Sequence, residues 1–399
     1  MKVLVWGINY APEVTGIGPC NAALCEHLRA AGHEVEMVTT FPYYPAWKKS
    51  AEDSRRLWRT DFVNGVPVHR CWHYVPARVR WWRRILHEVT FLLTSLPRVL
   101  RCRVPDVIVA VSPPLLLGPG AWLAARLMGT RYVFHVQDLQ PDAAVGLGML
   151  RPGLFTRALY AVEAFSYRHA WRVSGISRGM LAAFTAKGVP AARQLYFPNG
   201  TLLAEPCKRG AFRVRHGFTA GDFLAIYSGN FGVKQGLGVL VEAARRLLGG
   251  RVKIILCGDG AQREIIAAQA AGLANVHLLP LLPEQEYREM LADADVAIIT
   301  QAAGSGRAFF PSKLLPTLAA ARRLLSVADA ESELALAVAE SGCGVNILPD
   351  CVEALSAALT QMATDPAALD GYARAGRAWV QQFEQSAVLG EFTRALAVK

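Results

Sequence analysis

Short apolar runs and longer stretches with helical spacing alternate along most of this chain. KVLVWGIN reads as a strand, residues 21–31 as a helix and HEVEMVTT as a second strand. After a basic segment come the strand PDVIVAVS, the helix LLLGPGAWLAARLMG, the strand RYVFHVQD and two short strands, RVSGIS and RQLYFPNG. Residues 200–213 (GTLLAEPCKRGAFR) break the rhythm and read as an interdomain linker. The alternation then resumes with DFLAIYSGN, a helix from Leu237, VKIILCGDG, a helix from Ala261, NVHLLPL, a helix over 284–292, DVAIIT, a helix over 313–321 and RLLSVA. A final helix near 366–383 and a tail have no strand after them. Continuous apolar strands alternating with helices predict parallel, doubly wound sheets. The expected division is a Rossmann-like domain over 1–203, a second over 214–375, and a C-terminal helix and tail, 376–399, packing back on the first. Ligands of such sheets bind at the carboxyl ends of the strands.

Composition narrows the class. At 399 residues, 52% hydrophobic and 19% charged, the chain fits a two-domain α/β protein with buried strands. Its eight cysteines form no CxxC pair and read as buried thiols, not as metal or disulfide positions. No run approaches the roughly 18 apolar residues of a membrane-spanning helix. The opening strand lacks the longer apolar region of a signal peptide, so the expected location is cytoplasmic.

The net charge of +11 is concentrated. Residues 76–103 hold seven arginines and a single acid, Glu88, interleaved with Trp81, Trp82 and a run of aliphatic residues. Arg80, Trp81, Trp82, Arg83 and Arg84 suit an anionic membrane surface, where arginines meet headgroups and indoles sit at the interface. A helix packed on the domain with a solvated basic rim is the plainer reading. Nucleic acid is not expected, because no binding motif accompanies the charge.

Glycine-rich turns follow several strands. YSGNFGVKQGLG sets Lys234 among Gly229, Gly232 and Gly236, and Gly258 and Gly260 bracket the end of VKIILCGDG. Glycines let a backbone approach phosphate closely, and a lysine adds a full charge. Neither G-x-G-x-x-G nor a P-loop occurs, which weakens the dinucleotide and ATPase readings and points to a nucleotide-sugar.

NYAPEVTGIG, AGHEV, FPYYP, VSPPLLL, VQDLQPD, FPNG, GNFGVKQGL, GDG and FPSKL occur in that order. Together they resemble retaining glycosyltransferases of the fourth family, of GT-B fold, closest to the branch that builds colanic acid and fucosamine-containing O-antigens. The resemblance implies two Rossmann-like domains facing across a cleft. It also implies sugar transfer, with retention, from a UDP- or GDP-linked sugar to a glycan acceptor, often lipid-linked, without a cofactor or bound metal. Such an enzyme would work as a peripheral protein on the inner face of the cytoplasmic membrane. Another GT-B reaction (epimerase or phosphorylase) and a noncatalytic glycan-binding protein are the alternatives.

The resemblance also assigns residues. Gly229, Asn230, Gly232 and Lys234 match the donor-diphosphate loop, although many relatives carry arginine near Asn230. Ser312 and Lys313 of FPSKL are expected at a helix start, Ser312 as its cap and Lys313 as a second cation; the glutamate pair many relatives carry here is missing, with Ala308 and Pro316 in its place. Gly258 and Gly260 are weaker donor candidates. Gly16 and Gly18, with Glu13 ahead of them, match the acceptor-side loop after the first strand. His135 and Asp138 of HVQDLQPD are the catalytic candidates beside Lys234. Alternation along the strand puts His135 on one face with Gln137, so His135 and Asp138 need not point together.

Overall fold

The structure is a computed structural model that describes residues 1–398 except 14–15, 78–80, 147–149, 151–152, 204, 206, 306–310 and 366–368; of Trp81 it describes the backbone only. The chain forms two compact units, Met1–Gly200 with Ser386–Lys399, and Thr201–Gln385.

Among the described residues the first unit holds eight strands: β1 (Lys2–Trp6), β2 (Glu34–Thr40), β3 (Trp58–Val63), β4 (Val66–Cys71), β5 (Val107–Ser112), β6 (Arg131–Val136), β7 (Arg172–Gly175) and β8 (Gln194–Tyr196). Their order is β3-β4-β2-β1-β5-β6-β7-β8, parallel throughout except for β3, which pairs antiparallel with β4. The central strands are apolar on both faces because helices cover both, as in a doubly wound sheet. VIVAVS, for example, is buried at all six positions. The second unit holds β9 (Phe223–Asn230), β10 (Val252–Asp259), β11 (Val276–Leu279), β12 (Val296–Thr300), β13 (Leu324–Val327) and β14 (Gly344–Ile347), all parallel, in the order β11-β10-β9-β12-β13-β14.

The strands expected from the apolar runs are present. Unexpected elements are the β3–β4 hairpin, β14, the short helices Ala51–Ser54, Gln140–Gly146 and Ala211–His216 (the last begins within the expected linker), and the helices Leu154–His169, Arg178–Ala186, Glu333–Ser341 and Val352–Thr364. The C-terminal end also differs in detail. Asp370–Trp379 and a 3-10 turn, Val380–Phe383, stay with the second unit, so that residues 376–385 do not belong with the tail. A separate helix, Gln385–Ala397, crosses back. Its Val388, Leu389, Phe392 and Leu396 join Val3, Val5, Val107 and Val133 in the first unit's core, where Phe392 stacks on Phe197 with ring centroids 3.8 Å apart.

Candidate functional site

In the second unit the glycine turns lie side by side. Gly229 and Gly258 are register partners at the carboxyl ends of β9 and β10, followed by Asn230 opposite Asp259. Backbones meet so closely that a Cβ on Gly258 would fall 1.8 Å from the Gly229 carbonyl oxygen. The Asn230 carboxamide lies between the turns: a Cβ on Gly260 would be 2.5 Å from its Oδ1, and one on Gly232 would be 2.8 Å from its Nδ2. At Gly260 a Cβ would also fall 2.7 Å from the Phe231 backbone, so only glycine fits there, and the result is a shallow, backbone-lined floor.

Lys313 reaches that floor from the segment that follows β12, the other neighbour of β9. Its Cε and Nζ would be 2.7 and 3.2 Å from a Cβ on Gly229, so the ammonium stem runs over the turn. Burial lowers its pKa to about 8, and the neighbouring Cys257 thiol opposes this only partly. Burial of this kind disfavours the charged lysine on its own, and an anion beside it would offset the cost. The expected cap is corrected: Ser312 is exposed and makes no cap, and Lys313 itself is the N-cap of the short helix Leu314–Ala319, without a side-chain capping bond. Lys234 sits in the 3-10 turn Val233–Gln235. Its carbonyl accepts from Ala302 N (2.9 Å) and Ser305 Oγ (3.2 Å), which fastens the glycine loop to the segment after β12.

Two further groups at these strand ends escaped the sequence reading. Arg263 donates to the carbonyls of Gly258 and, at 3.1 Å, Leu279, which places a guanidinium behind the turn that lacks arginine at 230. Gln301, just past β12, is buried with neither end of its amide hydrogen-bonded among the described residues. The spacing of FPSKL and GDG gives no hint of either.

In the first unit the acceptor-side candidates fall into two groups. The buried Glu13 carboxylate accepts from the backbone N–H of Tyr43 (3.0 Å) and Tyr44 (2.9 Å) through Oε1, and from Asn9 Nδ2 (2.8 Å) through Oε2. Glu13 therefore pins the FPYYP loop rather than facing solvent. Gly16, in the left-handed region with φ +70°, lies under Tyr44, whose ring would be 3.4 Å from a Cβ there. Gly18 opens the helix Gly18–Ala30 against the Glu13 backbone.

His135 is a core residue, contrary to its expected catalytic place. It is buried; its Nδ1–H donates to Ser174 Oγ (2.8 Å), its Nε2 accepts from Gln137 Nε2 (2.8 Å), and Gln137 pairs reciprocally with Asn199. Burial drives its pKa to about 3, so the ring is neutral, with both nitrogens engaged. Gln137 indeed shares its face. Asp138, two residues past β6, is half-buried in the loop.

On the basic helix, Trp81–Val99, Trp82 is exposed, Arg83 lies over its ring, and Arg84 stands 3.5 Å from Glu88. Arg80 and the Trp81 side chain lie outside the described residues. A grouping of metal-type ligands among the described residues, Glu36, His69 and Cys102, already holds a cation: Arg98 Nη2 is 2.7 Å from His69 Nδ1 and 3.3 Å from Nε2.

Comparison with known proteins gives a consistent picture. Residues 15–200 match the family described as Glycosyl transferase 4-like domain, and residues 208–379 that of Glycosyl transferases group 1. The chain is 35% identical, over 90% of its length and 92% of the relative's, to the putative colanic acid biosynthesis glycosyl transferase WcaI of Escherichia coli K12. Among solved structures, sucrose-phosphate synthase from Thermosynechococcus elongatus aligns with a TM-score of 0.76 at 17% identity, covering 99% of this chain and 98% of that one. Anabaena Alr3699/HepE in complex with UDP aligns with a TM-score of 0.73 at 16% identity over 100% of both chains. These last two likenesses are of fold, the GT-B fold.

Proposed function

From the premise that this chain belongs to the glycosyltransferases, with a 4-like domain followed by a group 1 domain, we propose that it transfers a sugar, with retention, from a UDP- or GDP-linked donor to a lipid-linked glycan acceptor in exopolysaccharide or lipopolysaccharide synthesis. The observation that carries the donor half is Lys313 lying over the Gly229 turn beside Gly258. Departure of a nucleoside diphosphate builds negative charge on its bridging oxygen. Lys313, with Lys234 in the adjoining turn, supplies positive charge for that oxygen, where water is partly excluded. The UDP bound to Alr3699/HepE supports a nucleotide at this kind of fold.

With charge handled in this way, no metal step is needed. In a front-face substitution the departing diphosphate oxygen takes the proton of the incoming hydroxyl, and the protein chiefly holds both substrates. Asp138 is the acceptor-side carboxylate in this scheme, orienting that hydroxyl. His135 has no part in it beyond holding β6 to β7 and Gln137. The name of the Escherichia coli relative supports an exopolysaccharide product of the colanic acid kind.

The experiment is release of free UDP or GDP by the purified protein with candidate donors, with and without a lipid-linked acceptor. Release that requires the acceptor supports transfer. Donor conversion without any acceptor would favour an epimerase or hydrolase, and nucleotide binding without turnover a noncatalytic protein.

A further inference from the structure

The helix Trp81–Val99 is built inside out. The side it turns to the sheet carries His87, Phe91, Ser95 and Val99, all buried. Its polar groups there are met: His87 Nδ1–H donates to the Tyr74 carbonyl (2.6 Å), the Tyr43 hydroxyl bonds His87 Nε2 (3.2 Å), and Ser95 Oγ accepts from Trp6 Nε1 (3.0 Å). The opposite stripe, positions 82, 86, 89, 93, 96 and 100, is Trp, Leu, Val, Leu, Leu and Leu without interruption. Trp82 is 45% exposed and Leu93 65%. A surface helix ordinarily keeps its apolar stripe for the core and turns its polar face to water. This one reverses the rule over five turns.

The edge strand β3 extends the same surface. Trp58 Nε1 donates to the Thr94 carbonyl of the helix (2.9 Å), and Thr60 meets His69 Nδ1 (3.0 Å), which Arg98 of the helix also reaches. Trp58, Thr60 and Phe62 alternate onto one face, so Phe62 stands on the helix side of the sheet, 76% exposed. The rim is cationic. Among the described residues of 51–103, Arg55, Arg56, Arg84, Arg101 and Arg103 are exposed, against one exposed acid, Glu52. Each acid has an arginine within reach: Glu52 with Arg56, Asp53 and Asp61 with Arg59, and Glu88 with Arg84. Arg101 lies over the Trp58 ring at 4.9 Å. An apolar stripe bordered by surplus arginines fits one partner chemistry well, an anionic lipid leaflet with phosphates above and acyl chains below.

We propose that Trp82, Leu86 and Leu93 of the helix and Leu100 in the turn after it, together with Trp58 and Phe62 of the edge strand, enter such a leaflet, with the arginines at phosphate level. This rests on the reading that the acceptor is lipid-borne, and it makes apolar insertion, not the arginine cluster at 80–84, the larger part of the attachment. Arginine attraction fades with salt, whereas apolar insertion does not.

The test is co-sedimentation of the full chain with vesicles of phosphatidylcholine alone and with phosphatidylglycerol added, in low and high salt. The surface predicts preference for the anionic vesicles and retained binding in high salt. Leu86→Glu/Leu93→Glu alters two exposed positions, so melting temperature and circular dichroism should be kept while partitioning falls roughly tenfold or more. Phe62→Ser should give a smaller loss, several-fold, and checks the strand independently. Three results overturn the proposal: no vesicle binding by the native protein, native-like binding by the double variant, or a native dimer that Leu93→Glu makes monomeric, which would give the face to a second copy. Absent vesicle binding with retained transfer to a lipid-linked acceptor in detergent sinks this inference alone. Strong vesicle binding with transfer only to soluble acceptors keeps the surface and removes the lipid-borne acceptor.

Discussion

Lys313→Met should move stability and donor binding in opposite directions. The ammonium is held at a pKa of about 8 instead of 10.5, which at about 1.4 kcal/mol per pH unit is a cost of about 3 kcal/mol in the free protein at neutral pH. Partial solvent access and relaxation should leave roughly half of that. Methionine keeps the stem's packing and removes the charge, so the ligand-free protein should gain about 1–2 kcal/mol, roughly 3–6 °C in melting temperature for a unit of this size. UDP or GDP affinity should fall by one charge-assisted hydrogen bond, about 1.5–3 kcal/mol, or roughly ten- to 150-fold. Titration calorimetry with both nucleotides and melting curves without ligand measure the two effects. The pH dependence gives a further check. Between about pH 8 and 10.5 the unfolded chain holds the lysine proton that the folded one sheds, so ligand-free stability should rise with pH there. Diphosphate affinity should fall over the same range, because the free protein must take up a proton to bind. Both trends should vanish in the variant. If Lys313→Met binds UDP and GDP as the native protein does, or if native affinity stays flat through that range, the lysine is not part of a donor site.

Turnover should persist in excess EDTA, and loss of all activity restored by Mg²⁺ or Mn²⁺ would refute the charge-stabilisation scheme. Lys234→Ala should raise the donor KM and slow transfer by roughly 1.5–3 kcal/mol in total while melting normally, since its anchoring group is the backbone carbonyl. Glu13→Ala removes the acceptor for two loop amides and should cost about 2–4 kcal/mol of stability and raise the acceptor KM, with donor affinity unchanged in titrations. His135 and His87, held neutral with pKa values near 3 and 4, take up protons in the unfolded chain first. Their contribution is complete above pH 6.5 and is lost as pH falls towards 4, so urea melts of His135→Asn should show a shallower acid decline than those of the native protein.

The central strands were legible because burial on both faces leaves unbroken apolar runs such as VIVAVS and FLAIY. The β3–β4 hairpin was not, because β3 is an edge strand. Arg59 and Asp61 alternate with exposed Trp58, Thr60 and Phe62, a pattern that reads as polar loop until its partner strand is known. Glycines 229, 258 and 260 were legible as turns, but their mutual contact depends on β9 and β10 being neighbours, and the placing of Lys313 above them depends on the chain's return after β12. His135 misled for a similar reason. Whether a strand-end histidine faces a ligand or the core depends on what lies across from it, here Ser174 from β7 and Gln137 braced by Asn199. The basic helix showed its amphipathic composition in sequence, yet which side faces water is set by the sheet contacts of His87, Phe91 and Ser95.

The crossing of the Gln385–Ala397 helix into the first unit has a consequence for biosynthesis. Residues 201–385 form one uninterrupted stretch, so the second unit has all of its chain before the polypeptide ends. The first unit does not. Until Val388, Leu389, Phe392 and Leu396 leave the ribosome, the patch of sheet around Val3, Val107 and Val133 lacks its cover, and the half of the chain made first is the half that closes last. A released chain truncated after Gln385 should therefore protect the second unit against protease while the first stays open to it, an inversion of the usual N-to-C order in which domains mature.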